Sequence, residues 1–373
     1  MGDRTFSRSA YAKATTTFAA DAGPVTRRAE QKARETGELN PLVDPKGFGV
    51  IRRSLPRLEQ RPNGLWRLTV GIPMPIETRV DTTGSMGGNV DVAFRVLPHM
   101  YESCQAVLPG YDLQIATGIF GDVGDNFVLC RPQFEMEAEK IVEQLTLMVP
   151  ERSGGDAPED PHYGIFGAAY LTAAHICRLG LRGYDFTVSD ETAHSGLDER
   201  QLIRIFGDEV FAKAAENGHQ VNRRGLPSTA EMVADLLART HAFLLQVESR
   251  QETTRFWAEI FGRERVVMLP STELLPQVQA AIIGLTEGTL DLQTVEGFLR
   301  RGNVPKCEAE VIRRSVANIP IGAQAALPNF GERPKKGDLF REKADIWPVD
   351  PSEVGQDEAG SAEEAAAGGP TWL

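Results

Sequence analysis

The chain has 373 residues, with 52 Asp/Glu against 40 Lys/Arg and a formal net charge of -12. That length buries a substantial core without staples, and the acidic balance argues against nucleic acid as a general partner. No apolar run approaches a membrane span, and Met1-Gly2-Asp3-Arg4-Thr5 has no signal-peptide core, so a cytoplasmic protein with no membrane partner is expected.

The four cysteines (Cys104, Cys130, Cys177, Cys307) are scattered without a Cys-x-x-Cys pair, which argues against a zinc knuckle or a disulfide framework and for buried thiols. No two of the six histidines share a metal-ligand spacing on one helix face. The charge is uneven. Residues 1–62 hold 12 Lys/Arg against 7 Asp/Glu, whereas the last 24 residues carry six acids and no base; both ends read as solvated chain. A nucleic-acid contact, if there is one, falls to the basic N-terminal arm.

Residues 1–45 contain few large apolar side chains and read as a basic, largely flexible arm, with a charged helix possible over 25–36. Residues 46–72 form a lead-in whose stretch Leu65-Trp66-Arg67-Leu68-Thr69-Val70-Gly71-Ile72 alternates like a strand. A core strand over Pro75–Val80 follows. Then Val90, Phe94, Leu97, Tyr101, Cys104 and Leu108 draw one helix face that Pro98 should kink or split. Leu113–Phe120 and Asn126–Cys130, joined by Gly121-Asp122-Val123-Gly124-Asp125, predict a hairpin, and Phe134 to Met148 a second amphipathic helix. Pro158 suits the first turn of a further helix running through Ile165 to Ile176. Tyr184–Ser189 reads as a buried strand and 198–240 as helical. Beyond it come a strand over His241–Val247, a helix over Thr253–Phe261, a strand over Arg265–Leu269 and a helix over Leu274–Leu285. This alternation predicts an α/β fold with a doubly wound, mainly parallel sheet, one antiparallel edge strand and helices on both faces.

Between the first core strand and its helix lies Asp81-Thr82-Thr83-Gly84-Ser85-Met86-Gly87-Gly88. Asp81, Thr83 and Ser85 alternate, so three oxygen-bearing side chains can converge while glycine lets the backbone turn. Their hard oxygens suit Mg²⁺ or Mn²⁺ better than zinc; the alternative is a plain loop with a helix cap. Two more polar clusters fall where ligands bind in open α/β sheets: Gly154-Gly155-Asp156, and Asp190 after the strand Tyr184–Ser189.

The first loop resembles the opening metal-binding motif of von Willebrand factor A (VWA) domains, in the Asp-x-Thr-Gly-Ser-Met wording of intracellular members, and the other two clusters follow in the family's order. The resemblance covers about residues 73–290, with an insertion at about 207–240; residues 291–331 read as a helical extension and 332–373 as a linker and acidic disordered tail. It implies a metal-ion-dependent adhesion site in which Thr83 and Ser85 bind the cation through hydroxyls and Asp81 and Asp190 sit in its inner or second shell. The family's third loop usually supplies a threonine, whereas this chain has Asp156, which leaves open a direct ligand, a water-mediated one or a helix cap.

The function implied is a non-enzymatic module that binds a divalent cation and a protein partner, whose acidic side chain completes the metal shell, within a larger complex. The alternatives are a metal-dependent phosphohydrolase or phosphotransferase using Asp81 as nucleophile, and a scaffold whose terminal arm or tail captures the partner. No phosphate loop, nucleophile elbow or His-Glu-x-x-His motif is present.

Overall fold

A computed structural model describes residues 28–56, 58–60, 66–68, 72–153 and 158–324. In chain order its elements are α1 (28–36), β1 (Arg52–Ser54), β2 (Leu58–Gln60), β3 (Trp66–Leu68), β4 (Ile72–Asp81), α2 (Asn89–Val96), α3 (Met100–Gln105), β5 (Tyr111–Phe120), β6 (Leu129–Cys130), α4 (Ala138–Thr146), α5 (Pro161–Tyr170), β7 (Thr172–Ala174) and β8 (Gly183–Ser189). There follow α6 (Glu199–Phe206), α7 (Val210–Glu216), α8 (Thr229–Arg239), β9 (Thr240–Gln246), α9 (Gln251–Phe261), β10 (Val266–Met268), α10 (Leu275–Glu287), α11 (Val295–Arg301) and α12 (Lys306–Ser315).

Six strands form the main sheet in the order β10-β9-β8-β4-β5-β6. All neighbours are parallel except β5 and β6, which pair antiparallel at one edge. Numbered by their occurrence along the chain and read from the β6 edge, the order is 3-2-1-4-5-6, so the winding reverses between β4 and β8. The expected doubly wound α/β fold is therefore the observed one, with one antiparallel edge strand.

The central strand β4 is buried along almost its whole length, as a parallel strand covered on both faces must be. It starts at Ile72, ahead of the expected Pro75, because its first residues pair with β5; pairing with β8 begins only at Ile76. Pro73 and Pro75 thus lie where β4 has a single neighbour, and their missing N–H groups cost nothing on the β8 side. One apolar cluster packs α2, α3, α4 and α10 on one face of the sheet, and α11 and α12 extend it; a second lies under α5 to α9 on the other. Pro98 splits its helix as expected: α2 ends at Val96, a single 3₁₀ turn follows, and α3 resumes at Met100.

Several elements differ from expectation. Of the strand expected over 65–72, residues 66–68 form β3, paired antiparallel with β2, and Ile72 opens β4; residues 65 and 69–71 lie outside the described residues. The helix expected to start at Pro158 begins at Pro161, which takes the first helical position. It also stops at Tyr170 rather than continuing to Ile176, since Thr172–Ala174 pairs in parallel with Arg52–Ser54 as a separate two-stranded ribbon. Phe134 precedes α4 in extended chain, where Glu135 bridges Ile115. Cys104 and Cys130 are buried thiols, but Cys177 is partly buried and Cys307 is exposed.

Candidate metal centre

β4 delivers Asp81 and β8 leads into Asp190, on the two strands that flank the reversal in winding. Neighbouring parallel strands diverge into separate crossovers there, and the crevice at their carboxyl ends is the general ligand position of such sheets. The loop after β4 tightens into a 3₁₀ turn over Gly84–Met86 and exits through Gly87 at φ +48°, a conformation that glycine adopts without a Cβ penalty. Backbone bonds strap it in place. Thr82 N–H donates to Phe120 O at 2.9 Å, Gly84 N–H to Ser153 O at 2.8 Å, and Arg152 N–H to Thr82 O at 3.0 Å.

Four of the five residues expected in the site converge. The backbone N–H and hydroxyl of Thr83 lie 2.9 and 2.7 Å from Asp81 Oδ1. The Thr83 and Ser85 hydroxyls are 3.0 Å apart, and Ser85 Oγ is 2.9 Å from Asp190 Oδ1. Ser189 donates to the second oxygen, Asp81 Oδ2, at 2.9 Å. The fifth, Asp156, lies outside the described residues.

Glu159, which the sequence reading passed over, stands in the same cluster. Its Oε1 is 2.5 Å from Thr83 Oγ1 and 3.0 Å from Ser85 Oγ. Asp81, Glu159 and Asp190 each present an oxygen within 4.8 Å of the other two, and all three residues are buried. The backbone of Glu159 is held by the loop after β8: its N–H donates to Thr192 O, and His194 N–H donates to its carbonyl. The adjacent Asp160 turns the other way and accepts from Val123 N–H at 2.7 Å, which divides the Glu-Asp pair between the site and the β5–β6 hairpin.

The oxygens outnumber the protons available to bridge them. Thr83 and Ser85 carry one hydroxyl proton each, yet Asp81 Oδ1, Glu159 Oε1 and Asp190 Oδ1 all lie at hydrogen-bond distance from them. Glu159 is 4% exposed and its Oε2 has no hydrogen-bond partner. Orphaned carboxylate oxygens in a dry site are costly. Burial, and then the hydrogen bond and charge shared with Glu159, push the Asp81 carboxyl well above its ordinary range. Burial raises Asp190 as well; Ser85 acts against the shift and the charge of Glu159 adds to it. A hard cation relieves the same crowding, since three carboxylate and two hydroxyl oxygens form a donor set that Mg²⁺, Mn²⁺ and Ca²⁺ all accept. Ser85 is exposed and marks the way in from solvent.

At the outer rim Arg250, just before α9, places Nη2 3.0 Å from Asp190 Oδ2 without the alignment of a hydrogen bond. The same guanidinium pairs with Glu191 and, at 3.3 Å, with Glu248.

No protein-family model matches the sequence, and no curated protein does. Among solved structures, proximal thread matrix protein 1 from the mussel byssus is similar at 10% identity and TM-score 0.38, over 58% of this chain and 48% of that one. The same protein with a zinc-occupied metal-ion-dependent adhesion site motif is similar at 9% identity and TM-score 0.39, again over 58% and 48%. The pilus adhesin SpaC of Lactobacillus rhamnosus GG in its open conformation aligns at 12% identity and TM-score 0.39, over 62% of this chain and 31% of that one. This chain thus spans about half of the first protein and a third of the second. Below a score of 0.5 such likeness assigns no fold by itself; the strand order does. Fold and site together define a doubly wound α/β domain with a carboxylate–hydroxyl cluster at its switch point. Among the described residues no helix is long and apolar enough to cross a membrane.

Proposed function

We propose that the protein binds one divalent cation, Mg²⁺ or Mn²⁺, through Asp81, Thr83, Ser85, Glu159 and Asp190. On this reading it holds a protein partner on the surrounding face, without catalysis, as a subunit of a larger intracellular complex. The single observation that carries the reading is the convergence of three separate loops on one proton-poor oxygen cluster that includes the unpartnered, buried Glu159 Oε2. The cation, once bound, supplies positive charge and an ordered coordination shell; the chain supplies the geometry. Asp81 is clamped from both sides by Thr83 and Ser189, Glu159 by Thr83 and Ser85, and Asp190 by Ser85.

Glu159 changes what the partner is expected to bring. Three ionised carboxylates exceed the charge of a divalent ion by one, so a further carboxylate from a partner enters against net negative charge. The group that completes the shell is therefore a water or a neutral oxygen, rather than the acidic side chain implied by the family resemblance. Binding is preferred to phosphoryl transfer because the position two residues after Asp81, where an aspartyl phosphatase of the haloacid dehalogenase type would carry a second aspartate, is Thr83.

Titration calorimetry with Mg²⁺ and Mn²⁺ tests the metal part: one site per chain is expected in the wild type and none in Asp81→Ala. A pull-down with and without chelator tests the partner part. Capture that persists in chelator and in Asp81→Ala would overturn it, and capture lost only on deleting residues 1–45 or 350–373 would move the working part to an arm or tail.

A further inference from the structure

The Arg250 side chain is 37% exposed and is surrounded by three carboxylates, of which only Asp190 belongs to the cation cluster. Glu191 and Glu248 lie outward of it, 18% and 55% exposed. The loop that carries the arginine is built rather than slack. Gln246, fully buried at the end of β9, donates through Nε2 to the carbonyls of both Glu248 and Arg250 at 3.1 Å. Thr254 in α9 donates back to Gln246 Oε1 at 2.8 Å. Between them Glu248 holds φ at +59°, an uncommon conformation for a residue with a side chain. The outcome of this bracing is a fixed positive charge against Asp190, whose Oδ2, like Oε2 of Glu159, lacks a hydrogen bond.

We infer that Arg250 is a tethered counter-cation that competes with the divalent ion for Asp190 and yields to it by shifting onto Glu191 and Glu248. The inference rests on the proposed cation site and adds a specificity-determining residue to it. A unit positive charge 3.0 Å from Asp190 Oδ2 opposes any cation at that carboxylate. A divalent ion gathers three carboxylates and overcomes the opposition; a monovalent ion gains half the charge interaction and does so poorly. The two outer glutamates give the guanidinium an alternative seat, so its release leaves no unpaired charge. The same residues connect the site to α9: the indole N–H of buried Trp257 donates to Glu191 O at 2.8 Å, and Thr253 donates to Asp190 O at 3.3 Å.

The test is Mn²⁺ titration calorimetry on the full chain, comparing wild type with Arg250→Gln and Arg250→Lys, each first shown by thermal melting to be folded. Removal of the charge should tighten Mn²⁺ binding roughly three- to tenfold, and the lysine variant, which keeps the charge, should stay near the wild-type affinity. Arg250→Gln binding at equal or lower affinity, with wild type still binding Mn²⁺, overturns the tethered counter-cation and leaves the metal site standing; it would make Arg250 a structural brace. Binding by neither wild type nor Arg250→Gln overturns both. Binding by Arg250→Gln alone would show opposition without release; it overturns the part of the inference in which Arg250 yields, and the proposed wild-type site with it.

Discussion

Two charged regions share the α5 face of the sheet. Along β4, Glu77, Arg79 and Asp81 alternate onto that face, but the first two and the third live in opposite circumstances. Arg79, fully buried, holds Asp185 of β8 through two nitrogens at 2.7 and 2.5 Å and donates to Thr187 at 3.0 Å. Arg131 spans both oxygens of Glu77 and reaches Thr172. Arg52, also buried, donates to the carbonyls of Arg131, Asp44, Gly47 and Gly49. Burial pulls the Arg79 pKa down, yet Asp185 and Glu77 outweigh it and raise it above the ordinary arginine value. Burial likewise opposes ionisation of Glu77, and Arg131 and Arg79 outweigh that too. Each acid of this network faces a base, whereas two residues further along β4 three acids face one another, with a single arginine at the rim. Matched charge fixes the architecture; unmatched charge marks the proposed cation site.

α5 shows how closely the matched network is packed. All ten of its residues are buried, and its glycines lie over the guanidinium stems. A Cβ on Gly164 would come within 2.6 Å of Arg79 Cδ, and one on Gly167 within 3.1 Å of Arg131 Nε. The helix, which starts two residues after Glu159, is therefore seated on the matched charges while Glu159 itself reaches the carboxylate cluster.

The contrast predicts opposite signs for similar mutations. The largest effect is expected in the matched network: Asp185→Asn leaves Arg79 with Glu77 alone, at 3.4 Å, and should cost about 3–5 kcal/mol of stability in chemical denaturation. Cation binding should come next. At a hundredfold excess over Kd, Mg²⁺ or Mn²⁺ should stabilise the wild type by about 2.7 kcal/mol, a rise in melting temperature of roughly 5 °C or more; Asp81→Ala should show no rise.

pH should separate the regions further. Asp81 and Asp190 are raised above the unfolded-chain value of about 3.8, so in the cation-free protein their contribution to stability is full below that value and is lost as pH rises through the raised folded values. Protons and cation compete for the same oxygens, so cation affinity should weaken as pH falls through that window. The smallest effect is the most telling in sign: Glu159→Gln, which removes one of three crowded charges, should leave the cation-free protein as stable or more stable by up to about 1 kcal/mol, read by thermal melting with chelator present. Loss of several kcal/mol there would place Glu159 with the matched network instead.

Much of this was legible in the sequence because the period of each element was clean. The β4, β8 and β9 runs, the Pro98 break and the loop from Asp81 to Ser85 follow from alternation, helical spacing and turn chemistry. The third loop was only partly legible. Asp156 stands out because it follows Gly154-Gly155, where the family usually has a threonine, and it lies outside the described residues; Glu159, two residues before the helix-opening Pro161, carries the signal of an acid at a helix entrance. The short β1–β7 ribbon was hidden because Thr172-Ala173-Ala174 continues the small-residue pattern of α5, and its pairing with residues 52–54 is set by tertiary contact. The buried network was hidden for a similar reason. Glu77 and Arg79 look like the solvent face of a strand until α5, with glycines at 164 and 167, is laid across them.

The most direct test of the account is titration of Mn²⁺ into the wild type and Glu159→Gln, followed by calorimetry, with both proteins verified as folded. The account predicts one site per chain in the wild type and an affinity at least tenfold weaker in Glu159→Gln, as expected when one of three charged ligands is lost. Equal affinity in the two proteins, or no binding to the wild type, would contradict it.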